Sequence, residues 1–155
     1  MRKAFLTLFY SGLSPKAPGT VGSIVALVLG LLLLQVSSAT TLFLLTILIS
    51  IVAIKEIDKY ELETGSHDGK EIVIDELAGM WLCLSMVAHS EFNLYIGAII
   101  GFILFRFFDI VKPSVIGKID AKVKGGLGVM GDDIVAGFFA GLMTLLILKL
   151  SLFLV

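Results

Sequence analysis

The stretch IVIDELAGMWLCLSMVA, residues 72–88, decides the fold of this chain, because two adjacent acids stand near the start of an otherwise apolar run. Side chains that are neighbours on a helix point about 100° apart. Asp75 and Glu76 therefore cannot both face water while residues 72–74 face lipid. We expect a helix in which at least one acid points into the protein. The alternative is that both acids simply favour the positive end of the helix dipole.

Four further apolar segments surround this one. Of the 155 residues, 57% are hydrophobic and only 16% are charged, too little polar surface for a soluble domain of this length. Because helices satisfy their own backbone groups in lipid, we predict an all-α integral membrane protein: a single domain, residues 1–155, forming a compact bundle of about five short transmembrane helices. A soluble bundle is disfavoured because no segment shows a polar stripe at helical period. The other segments are Val21 to Val36, Thr40 to Ile54, Leu94 to Val111 and Ile134 to Leu154.

The lysines and arginines predict the orientation. They lie in the N-terminal segment and in the connections near 55–71 and 112–133, and the short connections near 37–39 and 89–93 carry none. Positively charged loops stay cytoplasmic, so we expect a cytoplasmic N-terminus and cytoplasmic catalytic loops. Arg2 and Lys3 precede only a brief apolar run, which is not typical of a cleaved signal peptide. A net charge of −1 gives no sign of a nucleic-acid partner.

Two G-x-x-x-G spacings occur in the last two apolar segments, Gly97 with Gly101 and Gly137 with Gly141. Small residues at this spacing let helix backbones approach closely. Packing within one chain is the favoured interpretation, because several short helices must pack together in any case. A homodimer is the alternative.

Six carboxylates fall on the same side of the membrane once the chain is threaded, and acids beside hydrocarbon persist when they are paired, bind metal or line a polar cavity. Oxygen ligands favour Mg²⁺ or Mn²⁺ over zinc. The single cysteine, Cys83, excludes a multi-cysteine metal site, and no arginine follows it closely, as a cysteine phosphatase would need. The six acids are Asp75, Glu76, Asp109, Asp120, Asp132 and Asp133.

The stretch GLSPKAPGTVGS, residues 12–23, leads into the first apolar segment. We expect Thr20 to cap a helix that begins at Val21 or Gly22. A helix N-terminus suits a phosphate, and the Thr20 and Ser23 hydroxyls add donors. A plain capped loop is the alternative.

Arg106, Asp109 and Lys112 follow one another at i, i+3 steps and so share a helix face, with Pro113 ending the helix. An arginine and a lysine beside acids suit a bound phosphate dianion. The alternative is a charge ladder that stabilises the helix end. The glycines within residues 126–131 are interpreted as a flexible loop that lets Asp132 and Asp133 approach the other acids.

Three stretches resemble the phosphatidylglycerophosphatase A family: GLSPKAPGTVGS (12–23), SHDGKEIVIDELAGMW (66–81) and FRFFDIVKPSVIGKIDAKVKGGLGVMGDDIVAG (105–137). The resemblance implies a hydrolase that removes the terminal phosphate of the phospholipid phosphatidylglycerophosphate, with Mg²⁺, giving phosphatidylglycerol and inorganic phosphate. It also implies a multi-pass protein of the bacterial inner membrane, with membrane lipid around it and its site facing the cytoplasm.

The hypothesis assigns roles to ten residues. Asp75, Glu76, Asp132 and Asp133 hold Mg²⁺, and Asp109 is a ligand or a base. The substrate contacts are Thr20, Ser23, Arg106, Lys112 and His67. A small divalent-cation transporter that uses intramembrane carboxylates is one rival, and a non-catalytic membrane subunit is the other.

Overall fold

A computed structural model describes residues 1–65 and 69–152. Within those ranges the regular secondary structure is helical, which confirms the prediction of an all-α membrane bundle. It comprises one short 3₁₀ turn, Ser11–Leu13, and the helices α1 (Arg2–Leu6), α2 (Pro18–Val36), α3 (Ala39–Thr64), α4 (Ile74–Ala88), α5 (Leu94–Val111), α6 (Val115–Lys122) and α7 (Gly126–Ser151). In the described part of the chain, four of these are long and apolar enough to cross a membrane: α2, α3, α5 and α7.

Helix α4 lies at the centre of the bundle and packs against all four of those helices. Its apolar residues continue around the whole helix, as expected of a helix buried on every side, and 11 of its 15 residues are buried. At 15 residues it is also the shortest of the five, about 22 Å long at 1.5 Å per residue. The acids in its first turn therefore lie inside the ring that the longer helices form.

Glycines allow the neighbouring helices to come this close to α4. A Cβ atom on Gly137 of α7 would collide with the backbone carbonyl of Gly79 on α4, and a Cβ on Gly101 of α5 would lie 2.8 Å from the Cys83 sulfur. Gly97 and Gly141 likewise pack against α4 side chains. Both G-x-x-x-G motifs are thus used within one chain, and a homodimer stays a prediction.

Two helices extend into regions that we expected to be loops. Helix α3 continues past Ile54 to Thr64, because the charged residues there find partners: Glu56 accepts hydrogen bonds from Arg2 and Lys59, each at 2.8 Å. Helix α7 begins at Gly126 rather than Ile134.

The expectation of a flexible glycine loop before Asp132 is therefore wrong. Gly126 and Gly128 are buried in the first turn of α7, where a Cβ atom would collide with the carbonyl oxygens of Ile54 and Val123 respectively. These glycines serve close packing, and they hold the acids of α7 on a rigid helix.

The start of α2 also differs from the expectation. The helix begins at Pro18, after Ala17 in a left-handed conformation (φ 47°), so Thr20 lies within the first turn and is not the cap. Proline suits the first helical position because its φ is already helical and its missing N–H would have no partner there.

Candidate active site

A polar cavity of ≈ 230 Å³ opens at the end of the bundle where α4 and α7 begin and α5 ends. The six acids singled out in the sequence all line it, together with Lys112. They come from four helices: Asp75 and Glu76 from α4, Asp109 from α5, Asp120 from α6, and Asp132 and Asp133 from α7. The structure thus brings together carboxylates that are far apart in the sequence.

Three of these acids form a tighter group. Asp75, Glu76 and Asp133 each offer one carboxylate oxygen, and these oxygens lie within 4.8 Å of one another. Each of the three also has a buried carboxylate oxygen with no hydrogen-bond partner. Burying unpaired carboxylates is costly, and a hard divalent cation with oxygen ligands would compensate that cost. The donor set therefore fits Mg²⁺.

Asp132 lies outside this group of three. Its Oδ2 accepts a hydrogen bond of 2.6 Å from the Lys112 ammonium, and its Oδ1 accepts one of 3.0 Å from the backbone N–H of Asp133. Both carboxylate oxygens of Asp132 thus have hydrogen-bond partners within the protein. The role of Asp132 as a fourth metal ligand stays a prediction.

Arg106 lies beside the group of three. Its Nη1 lies 2.5 Å from Asp109 Oδ2 and 4.0 Å from Glu76 Oε1, and it donates to the Ser23 hydroxyl at 3.2 Å. Its Nε is buried without a partner. Gly19 makes room here, because a Cβ atom at that position would collide with Glu76. The N-terminal turn of α2 is therefore part of the site's wall.

Lys112 ends α5 in a left-handed conformation (φ 44°). Its ammonium donates to Asp120 Oδ1 at 2.5 Å and to Asp132 Oδ2 at 2.6 Å, so it ties α6 to α7. Desolvation lowers the pKa of Lys112, but the hydrogen bonds to Asp120 and Asp132 outweigh this effect and the net pKa is raised.

The remaining predicted contacts have mixed outcomes. Ser23 is buried and held on α2 by donating to the Gly19 carbonyl at 2.7 Å. Thr20 does not line the polar cavity among the residues described, and His67 lies outside the described residues. Sequence reasoning missed Pro18 and Lys70, which do line the cavity. The position of Lys70 in the polar stretch just before the α4 acids was the signal that could have found it.

Comparison with known proteins agrees with this geometry. The family model described as phosphatidylglycerophosphatase A matches residues 4–148. The chain belongs to the phosphatidylglycerophosphatase A family. It is therefore a phosphatase, a hydrolase of phosphatidylglycerol metabolism. No solved structure matches it.

Three curated relatives cover most of the chain and most of their own length. A phosphatidylglycerophosphatase A from Haemophilus influenzae is 36% identical over 85% of this chain and 79% of its own. One of the same name from Escherichia coli is 38% identical over 83% and 73%. A protein named putative phosphatidylinositol-3-phosphatase from Bacteroides thetaiotaomicron is 38% identical over 86% and 85%. All three relatives are thus named as phosphatases of phosphatidyl lipids. The lipid named is phosphatidylglycerophosphate for two of them and a phosphatidylinositol phosphate for the third.

Proposed function

We propose that this member of the phosphatidylglycerophosphatase A family hydrolyses phosphatidylglycerophosphate to phosphatidylglycerol and inorganic phosphate. The observation that carries the proposal is the group of three carboxylates, each with a buried and unpartnered oxygen, on a polar cavity at one end of a membrane bundle. Acids clustered at one end disfavour the cation transporter, which would need them along a path through the membrane.

Asp75, Glu76 and Asp133 are the residues that would hold Mg²⁺. When bound, the ion supplies charge neutralisation at the phosphate and activation of a water molecule. The protein's part is to hold the three carboxylates on the rigid first turns of α4 and α7.

The cations and the fourth acid have separate tasks in this proposal. The Lys112 ammonium has three donors, of which two go to Asp120 and Asp132, so one remains for a substrate oxygen. Arg106 holds Asp109 in place through their ion pair. Asp109, which lines the cavity, is thereby positioned to accept a proton as a base. Contacts of Thr20, Ser23, Arg106 and His67 with the substrate are part of the same proposal.

The proposed location is the bacterial inner membrane, with the N-terminus and the site on the cytoplasmic side. In the helix order, every lysine and arginine except Lys149 falls toward the end that holds the polar cavity. Positive charge marks the cytoplasmic side of membrane proteins, which supports this orientation.

The experiment that tests the function measures inorganic phosphate released by purified protein in mixed micelles, with Mg²⁺ and with a chelator. We expect Asp75→Asn and Asp133→Asn each to reduce the rate by about 100-fold or more, because loss of a residue that only supports a metal ligand already costs about 10–100-fold. Glu91→Gln, an exposed acid in the α4–α5 connection, is the matched control and should keep the wild-type rate.

Two results would contradict the proposal: wild-type turnover by the Asp75 or Asp133 variants, or an unchanged rate in the chelator. A phosphatidylinositol 3-phosphate arm in the same assay decides the headgroup. A rate on that lipid well above the rate on phosphatidylglycerophosphate would reassign the substrate and leave the phosphatase chemistry in place.

A further inference from the structure

A second cavity lies beside the polar one, where α5, α6 and α7 meet. It measures ≈ 210 Å³ and is almost entirely apolar. Its lining consists of Phe108, Pro113, Ser114, Val115, Ile116 and Phe139. The proposed chemistry uses none of these side chains.

The two cavities share their dividing wall. At the end of α5, Asp109 and Lys112 line the polar cavity, while their direct neighbours in sequence, Phe108 and Pro113, line the apolar one. Helix α6 repeats the division, since it gives Asp120 to the polar cavity and Ile116 to the apolar one. A polar compartment and an apolar compartment are therefore adjacent on the same structural elements.

The apolar cavity is open toward the surface that faces lipid. Val115 and Phe139 on its rim are 48% and 38% exposed. Ile110 and Val111, at the end of α5 beside it, are exposed as well. An apolar group can thus reach the cavity from the bilayer without crossing water.

Another apolar groove, between α3, α4 and α7, shares only one such pair of sequence neighbours with the polar cavity in the described part of the chain, Ile134 beside Asp133. It is lined by Thr46, Ser50, Ile54, Leu82 and Ile134 among others. No α3 residue is among the described residues that line the polar cavity. Gly126 of α7 also packs directly on the backbone of Ile54 at the end of this groove, which closes it off on that side.

We propose that the apolar cavity between α5, α6 and α7 receives part of an acyl chain of the lipid phosphomonoester while its terminal phosphate occupies the polar cavity. This inference rests on the proposed function and adds the route of entry. The lipid arrives from the bilayer between the end of α5 and α6. The enzyme then recognises the acyl part of the lipid separately from its headgroup, through Val115, Ile116 and Phe139.

A kinetic experiment tests this with Val115→Trp, which fills the cavity from its rim. The readout is the ratio of kcat/KM on long-chain phosphatidylglycerophosphate to kcat/KM on its deacylated headgroup. We expect this ratio to fall about tenfold or more, the scale on which apolar pockets discriminate. Ile103→Trp, an exposed apolar position on the same helix as Phe108, is the control and should leave the ratio unchanged. An unchanged ratio in Val115→Trp would overturn the inference.

A second measurement does not depend on turnover. A lipid phosphomonoester with a photoreactive group near its acyl ester is cross-linked to the wild-type protein and to Asp75→Asn, and the labelled peptides are identified. We expect label on α5–α6 and α7 peptides around residues 108–116 and 139, removed by unlabelled lipid phosphate and not by diacylglycerol. Label on α3 peptides, or label insensitive to this competition, would overturn the inference.

Failure of the proposed hydrolysis and failure of the proposed acyl-binding site give different results. Competed label at the cavity in a protein that releases no phosphate would refute the proposed hydrolysis and leave the binding site standing. Normal phosphate release with label confined to α3 would refute only the binding site.

Discussion

At the scale of single residues, the sequence predicted the acidic partner of one of the two cations, Arg106, and not the partners of the other, Lys112. The i, i+3 spacing correctly indicated that Arg106 meets Asp109. It did not indicate that Lys112 leaves this face, because Lys112 adopts a left-handed conformation and turns its ammonium to Asp120 and Asp132. The backbone conformation at a helix end depends on what the next segment packs against, and this cannot be predicted from the local sequence.

The raised pKa of Lys112 predicts how stability depends on pH. A group whose pKa is higher in the folded protein contributes stability that is fully present below its unfolded pKa, about 10.4, and is lost as pH rises through the folded value. We therefore expect Lys112→Met to have a lower melting temperature in detergent than wild type, by an amount that is constant from about pH 7 to 10 and shrinks above about pH 10.4.

The control for this measurement is Lys118→Met, which removes an exposed lysine of α6 and should leave the melting temperature nearly unchanged. A difference between wild type and Lys112→Met that already disappears near pH 8 would show that the Lys112 ion pairs do not stabilise the fold.

At the scale of helices, the hydrophobic composition correctly identified the apolar segments. The helix boundaries predicted from charged residues and glycines were wrong for α3 and α7. Charged residues after Ile54 looked like a loop, yet they continue α3 by pairing with one another and with Arg2. The glycines before Asp132 also looked like a loop, yet they begin α7 because the backbones of Ile54 and Val123 lie too close for any side chain. In α3 the local i,i+3 pair of Glu56 with Lys59 supports the helix, whereas in α7 long-range contacts override the low helix propensity of glycine.

The close contact of α4 with α7 gives a prediction about stability. In Gly137→Ala the added methyl would collide with the Gly79 carbonyl, a backbone atom that cannot move aside cheaply. We expect a loss of about 1–3 kcal/mol in the free energy of unfolding, as for overpacked cores, measured by thermal or denaturant unfolding in detergent.

The matched control is Gly131→Ala, also on α7, where a methyl would approach only the Cγ2 methyl of the Ile119 side chain, at 3.3 Å. Alanine favours helix over glycine by up to about 1 kcal/mol, so this variant should be as stable as wild type or more so. Equal losses in the two variants would mean that the α4–α7 contact is not unusually tight.

At the scale of the whole molecule, the sequence predicted that distant acids meet, and all six line one cavity. It did not predict how they divide into a group of three with unpartnered oxygens, a pair bound to Lys112, and Asp109, which pairs with Arg106. The residues were identifiable because acids are rare in apolar segments. Which acids pair with a cation and which do not depends on how each helix is rotated about its axis. That rotation is determined by the packing of all the helices together.

The proposed orientation can be tested with single added cysteines and a membrane-impermeant maleimide. The native Cys83 is fully buried and should give little background. In intact cells we expect Glu91→Cys to be labelled and Lys118→Cys to be labelled only after permeabilisation, because positively charged segments stay inside. The reverse pattern would place the site on the outer face.

The shortness of α4 affects how the enzyme encounters its substrate. Since the acids stand at the recessed end of the innermost helix, a phospholipid has no need to be lifted out of its leaflet for its phosphate to reach them. Encounters then take place by lateral diffusion in two dimensions. We therefore expect turnover to follow the mole fraction of substrate at the surface, so that added inert amphiphile slows the reaction even when the bulk amount of substrate is held constant.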